Sequence, residues 1–431
     1  MRRRVLAAGF MVVGSVLVGL LVGEAWLRFD DFSYYWSVAK RPDPIRGWSP
    51  VAGAVAWQPL EGKALVRINS AAMRDREHSL RKPPHTLRIA VLGDSFTEAV
   101  QVPVEDTYWA LMEQRLSHCD SRGDRAVEVL NFGLSGYSTA QELLTLRHRV
   151  WAYDPDLVLL AFFTGNDFTE NLRALDGYPM RPYFIFQGTR LALDDSFLRS
   201  EEYLWRDSWV GRLGFWFLTH SRLLQAIDRA RDLHLVRSME PPPAPQDGRP
   251  LEPGVDTRVY RAPRDPDWEM AWRVTEALLA DMHEDVRKRG ARFVVVTLTT
   301  GAQVHPDPWF RGFFQLGLGV DDLFYADDRI RAVGERVGFP VINLAPDMQE
   351  YATEHQAFLH GFANSTLGVG HWNASGHALA AQLISDGLCR RVLGQPPSLA
   401  VEGGDAPVGE VSGGGGVGPR SEQGVDKGSD R

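Results

Sequence analysis

The chain has 431 residues, of which 44% are hydrophobic and 24% are charged. This composition is close to that of ordinary globular proteins and excludes a fully disordered chain, a collagen-like chain and a multi-span membrane protein. The formal net charge of -8 argues against a nucleic-acid partner, because phosphate binding needs a clustered basic face that the sequence does not show. Two cysteines, Cys119 and Cys389, are too few for a disulfide-rich scaffold and lack the spacing of a zinc or redox motif.

The N-terminus has the pattern of a membrane anchor. Three arginines at positions 2–4 precede 19 uncharged residues at positions 5–23, and about 20 residues are needed to cross a bilayer as a helix. The arginines favour a cytoplasmic N-terminus. We therefore predict a single-pass anchor at residues 1–28 of a cell-membrane protein, with the rest of the chain extracytoplasmic. A cleaved secretory signal is the alternative and leads to the same compartment.

Two stretches are predicted to lack regular structure. Residues 395–431 are rich in Gly, Ser, Pro and Glu, and they have too few large apolar side chains to offset the entropy of ordering them. We interpret them as a disordered tail. Residues 240–266 contain eight prolines, which exclude a helix or an inner strand. We interpret this stretch as a linker within an insertion at 168–266.

The remaining chain alternates between predicted strands and helices. Five short aliphatic runs are typical of strands buried on both faces: 87–92, 127–130, 157–163, 293–298 and 341–344. Helical periodicity follows them at 107–116, 140–151, 268–289, 327–337 and 373–393. This alternation predicts a three-layer α/β/α sandwich with a five-stranded, flavodoxin-like parallel sheet. We assign it to residues 85–394, after a lead-in segment at 29–84.

Polar residues follow these strands at the sheet edge where ligands bind. Ser95 lies in a Gly-Asp-Ser turn after the first strand, Gly136 follows the second, Asn166 follows the third, and His371 precedes the last helix. A serine hydroxyl is a poor nucleophile until a base takes its proton, and histidine is suited to do so at neutral pH. Each segment alone is a weak signal, since turns and helix caps use the same residues.

In this order the four segments resemble the SGNH (GDSL-like) hydrolase superfamily. The resemblance runs from about residue 69 to residue 393, apart from the insertion. It implies that Ser95 is the nucleophile and His371 the general base, with the Ser95 amide, the Gly136 amide and the Asn166 side chain forming the oxyanion hole. Residues 69–75 also look like the lead-in of membrane-anchored members, although Ala72 stands where a glycine is usual.

The sequence departs from that family at the acid of the triad. The family usually has an aspartate two or three residues before the histidine, but here Gly368 and Val369 occupy those positions. Three alternatives follow: a Ser95/His371 dyad oriented by a backbone carbonyl, an acid from elsewhere such as Asp347 or Glu354, or a protein that has lost catalysis. Loss of a triad acid costs about 10⁴ in rate where nothing replaces it.

Other candidate features are weaker. His355 and His360 lack the spacing of a zinc-binding helix, so we expect no metal and no cofactor. An aromatic-rich stretch at 203–231 is interpreted either as helices packed on the domain or as a lid or membrane-facing helix. In a flavodoxin-like fold, Cys119 and Cys389 end neighbouring helices, so a disulfide is feasible in an oxidising compartment.

These observations predict an extracytoplasmic serine esterase or deacylase that acts on O-acyl groups, foremost O-acetyl groups, through an acyl-enzyme on Ser95. Its partners would be an acylated carbohydrate or small ester and the membrane. Two alternatives remain open: an O-acyltransferase to cell-envelope glycan, working with a membrane-bound acyl donor protein, or a non-catalytic protein that binds glycan or partners. Fold alone does not select among them.

Overall fold

The computed structural model describes residues 2–238, 252 and 254–394. The tail predicted at 395–431 and most of the proline-rich stretch lie outside these residues. Within that stretch the described part is packed, since Thr257–Tyr260 form a 3₁₀ turn and Val259 and Tyr260 are buried. Val259 and Tyr260 of the predicted linker therefore pack into the core beside the sheet.

The N-terminal helix α1 spans Arg2–Phe29, and its segment Leu6–Phe29 is long and apolar enough to cross a membrane. The lead-in that follows forms one short helix and two antiparallel hairpins: α2 (Tyr35–Val38), β1 (Lys40–Asp43), β2 (Gly47–Pro50), β3 (Val55–Gln58) and β4 (Ala64–Arg67). Tyr35 and Val66 from these elements are fully buried. The lead-in is therefore packed against the rest of the protein rather than extended.

After the lead-in, the strands of the described chain are β5 (Thr86–Gly93), β6 (Ala126–Asn131), β7 (Leu157–Phe163), β8 (Tyr183–Gln187), β9 (Arg190–Asp194), β10 (Arg292–Leu298) and β11 (Val341–Asn343). Five of them form a parallel central sheet, and the flavodoxin-like order is confirmed: β11-β10-β7-β5-β6. Strands β8 and β9 are a separate hairpin in the insertion. Every residue of the central strand β7 is buried, as its unbroken apolar sequence predicts.

Helices cover both faces of the sheet. They run in chain order as follows: α3 (Ser95–Glu98), α4 (Tyr108–Leu116), α5 (Thr139–His148), α6 (Asp167–Glu170), α7 (Arg173–Asp176), α8 (Glu201–Asp207), α9 (Trp209–His220), α10 (Arg222–Ser238), α11 (Pro266–Lys288), α12 (Pro308–Leu318), α13 (Tyr325–Val337), α14 (Ala345–His355) and α15 (Ala374–Gly387). Residues of α5, α11 and α13 build one apolar layer, and residues of α4, α14 and α15 build the other. The predicted three-layer sandwich is therefore confirmed.

A disulfide joins Cys119 to Cys389, whose Cα atoms are 6.1 Å apart. Cys119 follows the C-terminal end of α4, and Cys389 lies in the π turn Leu388–Leu393 that continues α15. Helices α4 and α15 pack on the same face of the sheet, which brings their ends together. The bridge therefore closes a covalent loop of 270 residues around the domain.

Candidate active site

The site is built at the carboxyl edge of the sheet, starting from the turn after β5. Asp94 caps the N-terminus of α3, where its carboxylate accepts a hydrogen bond of 2.9 Å from the Phe96 amide. This cap places Ser95 in the first turn of the helix, with its hydroxyl half-buried at the sheet edge. Asp94 therefore holds the turn that presents Ser95. Burial raises the pKa of the Asp94 carboxyl to about 6.

His371 meets Ser95 across this edge. Its Nε2 atom lies 2.8 Å from the Ser95 hydroxyl oxygen, which is the distance a proton-accepting base needs. The loop that carries His371 is fixed on both sides, since Gly361 donates to the His371 carbonyl and Trp372 is buried beneath it. The structure thus brings together two residues that are separated by 276 positions in the sequence.

The other nitrogen of the His371 ring contacts Glu61. The distance from Nδ1 to Glu61 Oε2 is 2.6 Å, and the backbone amide of His371 donates to Glu61 Oε1 at 2.9 Å. Both carboxylate oxygens of Glu61 therefore accept hydrogen bonds from His371, and this fixes the orientation of the imidazole ring. Because Nδ1 donates to a carboxylate, Nε2 is left as the acceptor that faces Ser95.

This carboxylate corrects the sequence analysis. The partner of His371 is neither a backbone carbonyl nor Asp347 nor Glu354, but a glutamate 310 residues upstream, in the turn between β3 and β4. No spacing pattern could reveal a pair that far apart. The lead-in does contain the acidic residue Glu61. The family resemblance assigned no site residue to that segment, so nothing in the pattern singled it out.

The turn that carries Glu61 is clamped to the domain. Asn364 accepts a hydrogen bond of 2.9 Å from the Gly62 amide and donates to the Gly62 carbonyl at 2.8 Å. Gly62 has a φ of +66°, and a Cβ atom there would lie 2.2 Å from the Gln101 carbonyl oxygen. A glycine is therefore required beside Glu61, both for the left-handed backbone and for the close approach.

The charges of the Glu61–His371 pair stabilise each other. Burial opposes the charged form of His371, but the hydrogen bond and the negative charge of Glu61 outweigh it and raise the pKa of His371 above its usual value. Burial likewise opposes ionised Glu61, and the contacts with His371 outweigh it and lower the pKa of Glu61. The ring is thus held as a base that gains a proton readily next to an ionised carboxylate.

Gly136 and Asn166 lie in the loops that follow β6 and β7, at the carboxyl edge of the sheet. Gly136 has a φ of +77°, and its carbonyl accepts a hydrogen bond of 2.9 Å from Arg181. The Asn166 side-chain nitrogen donates to Glu170 at 3.2 Å, and its oxygen is buried without a hydrogen-bond partner. Arg181 also pairs with Glu170 at 3.0 Å. The Arg181–Glu170 ion pair is therefore hydrogen-bonded to both predicted oxyanion residues and holds them in place.

Lys40, which the sequence analysis did not single out, is a further group at the site. Its ammonium group donates to the Ser135 carbonyl at 2.5 Å and would lie 4.0 Å from a Cβ atom at Gly136. The rings of Trp36 and Trp48 lie 5.7 and 5.6 Å from it. Burial lowers the pKa of Lys40. The lead-in therefore contributes a cation as well as the carboxylate of Glu61.

Two other histidines lie near His371 and have different environments. His360 donates from Nδ1 to the Gly370 carbonyl at 2.6 Å, and burial lowers its pKa to about 4. His377 is buried and stacks on Tyr108, and burial lowers its pKa to about 3. Both rings are therefore neutral at physiological pH. His360 packs against the loop that carries His371, His377 lies in the following helix α15, and neither ring is hydrogen-bonded to Ser95.

Comparison with known proteins finds solved structures that the chain resembles, whereas no family model matches it and no curated protein matches it. A metagenomic alpha/beta hydrolase from Lake Arreo, Spain, is 15% identical with a TM-score of 0.34, over 70% of this chain and 96% of that one. A catalytic mutant of an acetylxylan esterase from Geobacillus stearothermophilus is 13% identical with a TM-score of 0.34, over 69% and 91%. A putative lipolytic protein of the G-D-S-L family from Desulfitobacterium hafniense is 11% identical with a TM-score of 0.30, over 70% and 98%.

Proposed function

We propose that this protein is an extracytoplasmic serine esterase that removes O-acyl groups through an acyl-enzyme on Ser95. The observation that carries the proposal is the chain of contacts Glu61–His371–Ser95, with distances of 2.6 and 2.8 Å. This arrangement has the three parts of a nucleophile, a base and an acid that orients the base. It favours catalysis over the alternative of a binding protein, because a binding cleft has no need for an aligned proton relay.

The reaction follows from these positions. His371 Nε2 takes the hydroxyl proton as Ser95 Oγ bonds to the ester carbonyl carbon, and Glu61 stabilises the imidazolium that forms. Collapse of the tetrahedral intermediate breaks the ester C–O bond, and His371 returns the proton to the leaving alcohol. Water then attacks the acyl-enzyme with His371 as base, which releases the carboxylic acid and restores Ser95.

Hydrogen-bond donors must stabilise the negative charge that develops on the carbonyl oxygen in the tetrahedral intermediate. We assign them to the amides of Ser95 and Gly136 and to the side chain of Asn166, whose second amide hydrogen remains for the oxyanion while the first contacts Glu170. The ammonium of Lys40, beside Gly136, adds a positive charge on the same side. The substrate we propose carries a small acyl group, foremost acetyl, on a carbohydrate of the cell envelope.

The location is part of the same proposal. Helix α1 has one apolar segment of 24 residues, with three arginines at positions 2–4 ahead of it. Basic residues favour the cytoplasmic side, so the domain would lie across the membrane. The Cys119–Cys389 disulfide supports this orientation, because such bonds persist outside the reducing cytoplasm.

The test is release of acetate from acetylated polysaccharide by the full chain in detergent, compared with Ser95→Ala. We expect release by the wild-type protein and none by the variant. Including a deacetylated acceptor glycan separates hydrolysis from transfer, since acetylation of the acceptor would identify a transferase. Equal release by the wild type and Ser95→Ala would contradict the proposal.

A further inference from the structure

Helix α9 has an apolar face that no part of the described chain covers. Five of its residues are between 47% and 76% exposed: Trp209, Val210, Leu213, Trp216 and Phe217. Their spacing places them on one side of the helix. Gly211, on the opposite side, is buried against the end of α8. We call the five exposed residues the α9 face.

The composition of α9 is typical of a helix that lies at a lipid interface rather than of a helix exposed to water. Helix α9 has no acidic residue, and its only Lys or Arg is Arg212, at the edge of the α9 face. Arg212 is tied at 2.9 Å to Asp207 of α8. Two of the five residues of the α9 face are tryptophans, whose rings favour the level of lipid headgroups. Exposing this much contiguous apolar surface to water is rare in soluble proteins.

The membrane-spanning candidate α1 fixes where this helix lies. The Glu24 carboxylate, within the apolar segment of α1, accepts hydrogen bonds from the Ser221 hydroxyl and from the amides of Arg222 and Leu223 at 2.9–3.0 Å. Arg28 donates to the His220 carbonyl at 2.5 Å. The turn that joins α9 to α10 is therefore attached to the last turns of α1. A carboxylate suits this position, because it caps the positive N-terminal end of α10.

The depth of this attachment follows from helix geometry. Glu24 lies five residues before the end of the apolar segment at Phe29, which is roughly 8 Å along a helix axis at 1.5 Å per residue. Amphipathic helices that lie in the membrane interface bury their apolar face to about 5–10 Å. The turn after α9 is therefore held at the level of the membrane interface whenever α1 spans the bilayer.

We propose that the α9 face binds the lipid bilayer as a second, non-spanning contact beside α1. It lies along the interface with its tryptophans and Phe217 among the headgroups and upper acyl chains. The contact reaches the catalytic edge through α2, since Asp228 of α10 accepts from Ser37 at 2.6 Å and Tyr35 donates to Glu98 of the nucleophile helix α3. The bilayer thus sets the height and tilt of Ser95, and this inference does not depend on catalysis.

The test uses site-directed spin labelling of the full chain in vesicles of phosphatidylethanolamine and phosphatidylglycerol. The two native cysteines form a disulfide, so a single introduced cysteine takes the nitroxide. Labels go to Leu213→Cys and Trp216→Cys on the α9 face, and to Val12→Cys within α1 as a reference for the bilayer. Leu80→Cys is the matched control, because Leu80 is 59% exposed in the loop before β5, at the opposite edge of the sheet.

Relaxation by oxygen, which concentrates in lipid, is compared with relaxation by a water-soluble nickel complex. We expect oxygen to dominate at Leu213, Trp216 and Val12, and the nickel complex to dominate at Leu80. Dominance of the nickel complex at both α9 positions would show a face in water and overturn the proposal. Protection from both reagents would show a protein partner or second copy instead, and would overturn it as well. Thermal melts followed by circular dichroism verify that each labelled chain is folded.

Discussion

Replacing Glu61 with glutamine tests whether the acid of the relay comes from the lead-in. Both carboxylate oxygens of Glu61 accept hydrogen bonds from His371, one from the ring and one from the backbone amide. An amide has only one acceptor atom. In Glu61→Gln, one His371 donor therefore faces an NH₂ group, or the ring adopts the tautomer with Nδ1 unprotonated, which leaves a proton on the nitrogen that faces Ser95.

The magnitude follows from this mismatch. Loss of the acid with the geometry retained lowers kcat by about 10⁴ in a serine triad. For Glu61→Gln we expect a fall of roughly 10³–10⁴ in kcat for p-nitrophenyl acetate, equivalent to about 4–5.5 kcal/mol of transition-state stabilisation. Glu61→Asp keeps the charge on a shorter side chain and should retain more activity. The controls are Asp347→Asn and Glu354→Gln, which remove the carboxylates considered from the sequence and should leave kcat unchanged.

The pH profile gives an independent readout of the same pair. Activity requires neutral His371, so kcat/KM falls as the pH decreases through the pKa of His371. Glu61 raises that pKa whereas burial alone lowers it. The acid limb of the wild-type profile should therefore lie above the usual histidine pKa and move to lower pH in Glu61→Gln. Wild-type-like kcat and an unmoved acid limb in a folded Glu61→Gln protein would refute the role of Glu61.

Three further predictions concern Lys40, the disulfide and Ala72. Lys40→Met removes the cation beside Gly136 and should lower kcat/KM roughly 10–100-fold; steady-state kinetics that match the wild type would contradict this. Replacing both Cys119 and Cys389 with serine should lower the free energy of unfolding by on the order of 5 kcal/mol in the chain-entropy model, measured by denaturation of the full chain in detergent. Ala72 has a φ of +56°, so Ala72→Gly should raise the free energy of unfolding by about 0.5–1 kcal/mol; a decrease would show that the alanine side chain is needed there.

The central sheet could be predicted because its strands are buried on both faces. The strand predicted at 157–163 coincides with β7, and the other four agree to within one residue at each end. Buried parallel strands appear in a sequence as unbroken apolar runs, which need no knowledge of their neighbours. The meeting of Ser95 and His371 at one edge follows from the same topology, since loops at the carboxyl ends of parallel strands converge.

The lead-in could not be predicted in the same way. Strands β1 to β4 have four residues each, mix polar and apolar side chains, and pair only with each other. Lys40 and Glu61 acquire their roles only when these hairpins pack against the domain, through contacts such as that of Gly62 with Asn364. The carboxylate that contacts His371 therefore lies in the lead-in between α1 and the domain, and not in the loop before His371.

Labelling of the full chain with a fluorophosphonate probe shows directly whether Ser95 is an activated nucleophile. The probe reacts only with an activated serine, and peptide mapping identifies which serine it modifies. We expect modification of Ser95 in the wild type, none in Ser95→Ala or His371→Ala, and strongly slowed modification in Glu61→Gln. A folded wild-type protein that takes up no label, or one that is labelled at another serine, would contradict the proposed role of the Glu61–His371–Ser95 contacts.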